Sequence, residues 1–174
     1  MNRDEIEAEL ARLHPDAFGW AIRCASGDRE GAEDALHAAY ERILTGRARF
    51  EGRSSFRTWL FGVVRRTALE ERRRSWLRLT RLRRWFDRGA GDPDPPADAG
   101  RALVERETSA RLEHALSRLS VRQRDVLHLV FYQELSVEEA AGVLGTKVGT
   151  ARTHYERGKA RLRVLLQGEE MHDR

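Results

Sequence analysis

The chain has 174 residues, 34 % of them charged and only 7 % aromatic, with a formal net charge of +4. With so few rings, any core must rest on Leu, Val and Ala, and the near absence of β-branched runs points to an all-α protein of one domain or two small ones. The longest apolar run, WLFGVV at 59–64, is far too short to cross a bilayer, and the single cysteine, Cys24, has no partner for an internal disulfide.

Charge falls in blocks. Residues 1–45 hold 5 Arg against 10 acids, and residues 46–88 hold 14 Arg against 4. Residues 89–117 are net −3, residues 118–168 net +4 and residues 169–174 net −2. Two basic zones between acidic ones are expected of a chain that meets nucleic acid at two places; solvated helix faces are the alternative. A lone thiol fits a reducing cytoplasm, and the acidic start MNRDEIEAELARLHPD lacks the apolar segment of a signal peptide. The expectation is a cytoplasmic protein without membrane insertion.

In chain order, residues 15–26 (PDAFGWAIRCAS) read as a helix with Pro15 at its first position. Residues 31–45 read as a second. Ala32, Ala35, Leu36, Ala39, Tyr40, Ile43 and Leu44 form one unbroken stripe, and Glu33, Asp34, His37, Glu41 and Arg42 take the opposite face. RARFEGRSS at 47–55 is a break. Phe56, Trp59, Leu60, Val63 and Val64 then return to helical spacing and read as core. Phe50 lies out of that phase and invites a functional reading. The helix runs on into EERRRSWLRLTRLRRWF; its basic end, residues 75–88, is either an extended DNA contact or a solvated helix end.

GAGDPDPPADAG at 89–100 holds three Pro, three Gly and three Asp and reads as a linker. The expected organisation is therefore a domain at 1–88, a flexible linker at 89–104 and a second domain at 105–174. The second half opens with a helix near 103–118. Ser120 starts a capping box closed by Gln123, and Val126, Leu127, Val130 and Phe131 form the inner face of the helix that follows. Ser136 starts a second box closed by Glu139, Val137, Ala140, Ala141 and Leu144 form a core stripe, and Gly145 is the C-cap. Thr146 to Gly149 make a turn.

A short helix, a tight turn and a longer basic helix is a helix-turn-helix pattern. Val148, Ala151, Tyr155, Leu162 and Leu165 are expected to pack inward. Arg152, Thr153, Glu156, Arg157, Lys159 and Arg163 then lie on the other side, with Thr150 and Arg161 as further candidates, and carry groove chemistry: Arg pairs with guanine or phosphate, Thr with a base edge or phosphate, Glu with cytosine. Arg152, Thr153, Glu156 and Arg157 are the candidates for bases, Lys159 and Arg161 for phosphates. An ordinary helical hairpin with a charged face is the alternative.

Both halves together resemble the sigma-70-family initiation factors of bacterial RNA polymerase, in particular the short extracytoplasmic-function type. The resemblance rests on FEGRSSFRTWLFGVVRRTALEERRR at 50–74, GAEDALHAAYERIL at 31–44 and the helix-turn-helix segment LSVRQRDVLHLVFYQELSVEEAAGVLGTKVGTARTHYERGKARL. It implies that the 31–45 helix docks on the largest-subunit coiled coil of core RNA polymerase through Glu33, Asp34, His37 and Glu41. It implies that Phe50 and the loop of Gly52, Arg53, Ser54 and Ser55 capture an unstacked base of the promoter's minus-ten element. Arg57, Arg65 and Arg66 would then hold the backbone beside Arg53. The 150–162 helix is implied to read the minus-thirty-five element, and exposed apolar residues near 126–135 to bind the polymerase flap. An anti-sigma factor is a further expected partner.

The chain departs from the family pattern in places. Arg66 stands where the family often has Asn, which favours backbone over base contact, and Lys147 stands where it often has Pro. Ala35 to Ala38 replace a common Leu-Val-Gln-Glu, and Ala151 and His154 a common Val and Arg. The six His are scattered, Cys24 lacks zinc spacing, and neither a Gly-rich phosphate loop nor a nucleophile–base pattern occurs. No metal, cofactor or enzymatic activity is expected. The rival readings are a stand-alone helix-turn-helix transcriptional regulator, which needs no strand-capture loop, and a polymerase adaptor, which has no use for the basic helix.

Overall fold

The computed structural model describes residues 1–83 and 111–170, without the side chains of 75–83 and 168–170. The expected linker, 89–104, lies outside the described residues, as do the first residues of the helix expected at 103–118. Internal contacts divide the chain into two units, Met1–Pro96 and Ala97–Arg174.

Among the described residues, the first unit is a three-helix bundle. Helix α1 spans Arg3–Cys24, so it starts well before the expected residue 15. An N-terminal box starts it: the Glu5 N–H donates to Asn2 Oδ1 and the Asn2 N–H to Glu5 Oε2, both at 2.8 Å. Pro15 is inside the helix, not at its start. Its ring is exposed, so the carbonyl it leaves without a donor faces water. Meanwhile Leu10, Leu13, Ala17, Trp20 and Ala21 keep one buried stripe through it.

Helix α2 spans Arg29–Leu44, with Asp28 accepting the Gly31 N–H at 3.1 Å. The expected stripe is buried at Ala32, Ala35, Leu36, Ala39 and Ile43, whereas Tyr40 is half-buried and Leu44 exposed. Helix α3 spans Phe56–Arg83. Trp20 and Phe61 are the largest fully buried side chains of this core, and Phe56 is buried with them. The Trp20 indole N–H donates to the Phe61 carbonyl at 3.1 Å, which satisfies the only polar atom that ring buries.

The second unit starts, among the described residues, with helical residues 111–117 (α4). Helix α5 spans Val121–Leu127, α6 spans Val137–Leu144 and α7 spans Val148–Glu170. Both expected capping boxes close: Ser120 with Gln123, and Ser136 with Glu139. Gly145 ends α6 at φ 63°, a left-handed cap that a side chain would strain.

Three expectations shift here. A wide turn of π-helix, His128–Tyr132, continues α5. Such a turn closes over five residues, so the buried phase moves. Leu129 fills the core, Val130 is half-buried and Phe131 is exposed. The connection after α6 is shorter than expected: α7 begins at Val148, Gly149 is helical, and Val148 is 40 % exposed. Close approach to α5 is set by Gly158, which sequence reading overlooked. A Cβ there would lie 3.2 Å from Gln123 Cβ and 3.2 Å from Leu127 Cδ1.

Candidate nucleic-acid interface

On the outer face of α2, Glu33, Asp34, His37 and Glu41 are all exposed. Glu33 pairs with Arg29 at 3.3 Å and Glu41 with Arg47 at 3.4 Å. The result is a ridge that is mainly acidic. Arg42, expected on this face, instead turns to α3, where it meets Glu70 at 2.6 Å and the Thr67 hydroxyl at 3.3 Å. The hydrogen bond from Arg42 holds the Glu70 carboxyl below its ordinary value. On the α1 side, burial pushes the Tyr40 hydroxyl up to about 12, so it stays neutral beside His14 Nδ1, 3.2 Å away.

Where α2 ends and the 47–55 loop returns to α3, there is a concave site of about 300 Å³. Trp59 and Val63 supply its apolar wall, and Arg42, Arg47, Arg49 and Arg66 its charge, with the Glu70 carboxylate among them against Arg42. Phe50 is half-buried beside it, 5.4 Å from Phe56 edge-on, 5.4 Å from Trp59, and thus part of a ring cluster. Gly52 turns the loop at φ 73°, and residues 51–55 are exposed.

The loop side chains differ in what holds them. Arg53 pairs with Glu51 at 2.8 Å. Ser54 donates to the Ser55 carbonyl at 3.2 Å. Ser55 Oγ accepts the Thr58 N–H at 3.1 Å, so this hydroxyl caps α3. Arg66 is exposed and Arg65 half-buried. Arg57 faces away from the loop, paired with Asp16 of α1 at 3.0 Å and lying over the Phe61 ring. Sequence reading missed Arg42, Arg47 and Arg49 as site residues. The basic alternation RAR just before Phe50 was the available signal for the last two.

In the second unit, Ala140, Ala141 and Ala151 are buried where α6 and α7 cross. Opposite them α7 exposes Thr153, Glu156 and Arg157 at the centre of its outer face, with Thr150 and Arg161 along one margin and Arg152 and Lys159 along the other. Thr153 Oγ1 donates to the Gly149 carbonyl at 2.9 Å. Glu156 and Lys159 lie 3.4 Å apart, and the Lys159 ammonium is 4.9 Å above the Tyr155 ring. Tyr155, expected to pack inward, is half-buried and stacks on Phe131 at 5.9 Å. Arg152 reaches across to Glu138 of α6 at 2.8 Å.

Each half of the chain matches a family profile: residues 10–78 that of Sigma-70 region 2, and residues 109–162 that of Sigma-70, region 4. The chain is 32 % identical over 150 residues to the ECF RNA polymerase sigma factor SigX of Bacillus subtilis, covering 84 % of this chain and 77 % of that one. This chain is an ECF sigma factor of the sigma-70 family. It is also 30 % identical over 158 residues to the ECF RNA polymerase sigma factor SigM of Mycobacterium tuberculosis, covering 91 % of this chain and 76 % of SigM. Among solved structures, the sigma factor RpoE of Bartonella quintana, in complex with the anti-sigma factor NepR, shares the fold at a TM-score of 0.69 and 24 % identity. That match covers 94 % of this chain and 97 % of RpoE. CnrH, in complex with the cytosolic domain of CnrY, shares it at 0.62 and 22 % identity, over 96 % of this chain and 90 % of CnrH. The sigma factor is thus a promoter-directing transcription initiation factor for RNA polymerase rather than a stand-alone regulator. No helix among the described residues is long and apolar enough to cross a membrane.

Proposed function

We propose that the two units of this sigma factor divide the promoter between them by shape. The first takes splayed single strand into the concave site beside Phe50, and the second lays the outer face of α7 along duplex. The carrying observation is the contrast in form. Trp59 and four Arg, one of them paired with Glu70, surround a hollow of about 300 Å³, while Thr153, Glu156 and Arg157 stand on an exposed convex helix. An unstacked base needs a ring to stack on and cations for its phosphates. A major groove admits a whole helix.

In this reading Phe50, Gly52, Arg53, Ser54 and Ser55 form the capture loop, with Arg65 and Arg66 on the backbone. Arg57 serves that contact indirectly, by fixing α3 to Asp16. Thr150, Arg152, Thr153, Glu156, Arg157, Lys159 and Arg161 meet the minus-thirty-five duplex. Glu33, Asp34, His37 and Glu41 dock on the polymerase coiled coil, and their exposure on one acidic ridge supports that role. Phe131 and Tyr132, 59 % and 73 % exposed, are the apolar contacts for the flap, while the buried Val126, Leu127 and Leu129 are not. The factor works in the cytoplasm and carries no chemistry of its own. Its solved relatives in complexes with NepR and CnrY support an anti-sigma partner here also.

Run-off transcription with purified core polymerase and a promoter library tests this. The full chain should direct initiation from a defined set of templates, and binding should weaken steeply with salt. Initiation from none of them would sink the reading.

A further inference from the structure

Of the basic residues on α7, Arg152 is the one tied to the other helix of the motif. Its Nη2 donates to Glu138 Oε1 at 2.8 Å, and the two side chains remain 64 % and 56 % exposed. Lys159 pairs within α7, and Arg157 and Arg161 make no ion pair among the described residues. Glu138 stands in the first turn of α6, so the bond spans the motif on the outside of the Ala140–Ala151 crossing. A carboxylate there also suits the positive N-terminus of α6, a role that needs no partner on α7. An exposed pair of this kind adds little to stability, so its effect must be sought elsewhere.

Two effects follow from the geometry. An arginine side chain carries large rotamer freedom, and a fixed one loses less on forming a planar, two-pronged contact. A guanidinium already sharing its charge with a carboxylate is also a poorer counterion for phosphate. Its remaining N–H groups still suit the paired acceptors of guanine.

We propose that Glu138 is a positioning residue that turns Arg152 from a phosphate contact into a base reader. The inference rests on the duplex-reading role of α7. By holding the guanidinium at the margin beside Thr153 and Glu156, Glu138 gives up some sequence-independent affinity in exchange for discrimination at one base pair. It is a specificity determinant that does not itself touch a base.

The test uses the full chain reconstituted with core polymerase, titrated on duplexes varied through the minus-thirty-five region at several salt concentrations. Arg152→Ala should lower discrimination at one base pair about tenfold, and Glu138→Ala should lower it at that same pair about threefold. Glu138→Ala should also steepen the salt dependence of binding to unrelated duplex by about 0.9 in log–log slope, the signature of one added phosphate contact. In the Arg152→Ala background, Glu138→Ala should change neither quantity. Thermal melting checks that all variants stay folded. Unchanged discrimination in Glu138→Ala overturns the proposal. So does a loss at a different base pair, or a slope change that persists without Arg152, since the carboxylate would then only repel DNA. If the unaltered chain selects no duplex sequence, the reading of α7 falls with it; if selection is intact but insensitive to Glu138, only this inference falls.

Discussion

The two units solve the same problem, holding DNA on a small helical scaffold, with different materials. In the first unit, long helices close around Trp20 and Phe61, and the expected ligand surface is a glycine-turned loop above a hollow. In the second, the short helices α5 and α6 pack on the long α7 at Gly158 and at Ala140, Ala141 and Ala151, and the surface is the outer face of that long helix. A hollow needs bulky walls and a loop free of regular structure. A protruding helix needs its neighbours drawn in close, which small residues allow. Small residues serve both units, since Ala17, Ala21, Ala32, Ala35, Ala39 and Ala68 are buried in the first; what sets the first apart is its buried rings, Trp20, Phe56 and Phe61, which have no counterpart among the described buried residues of the second.

That comparison can be broken first at Trp20. Trp20→Ala should cost about 3–5 kcal/mol and unfold the first unit, because a fully buried ring and its bond to the Phe61 carbonyl are lost together. Urea titration of the full chain should then show the second unit melting as before; a single shared loss would mean the units do not stand apart. The converse is Gly158→Leu, which should destabilise the second unit by about 1–3 kcal/mol by forcing α7 off Gln123 and Leu127. Chemical denaturation of this variant should leave the first unit's transition in place.

A narrower change separates function from fold. Phe50→Ala should lower strand opening about tenfold, as expected for one lost stacking partner, while leaving affinity for core polymerase intact. Permanganate reactivity of promoter thymines and a core-binding assay read the two quantities. Equal loss of both would place Phe50 in the Phe56 and Trp59 ring cluster only.

The smallest effect concerns pH. Glu70 has its folded value lowered from 4.5 by Arg42, so its contribution is present above 4.5 and fades as pH falls through the lowered value. Glu70→Gln should therefore lower the first unit's stability slightly at neutral pH, and the gap from the unaltered chain should close as pH falls below 4.5, checked by thermal melts across that range.

Much of the fold was legible because the deciding chemistry is local. Ser120 with Gln123 and Ser136 with Glu139 lie three residues apart, and Gly145 needs only its own backbone angle. The α2 stripe was legible because five of its positions obey one period. Pro15 misled because a proline on a solvent face can be passed over when buried residues lie on both sides. Arg42 and Arg57 were read as surface cations, and their partners lie 28 and 41 residues away, where no local pattern points. Gly158 carried no signal of its own in the sequence, and only the nearness of α5 explains it. Within the candidate site, the loop was legible from Phe50 and its glycine, whereas the hollow was not, since Trp59 and Arg42 come from separate helices.

The wide turn at His128–Tyr132 has a consequence for how this chain can vary. It acts as a phase shifter: Val126, Leu127 and Leu129 answer to the interior, and Phe131 and Tyr132 to the surroundings. An ordinary helix would have to choose one face for both tasks. Deleting one residue within the turn would restore the common period and rotate Phe131 off Tyr155. An outward signal of the second unit is thus encoded by residue count, and an indel that spares every named side chain could still silence it.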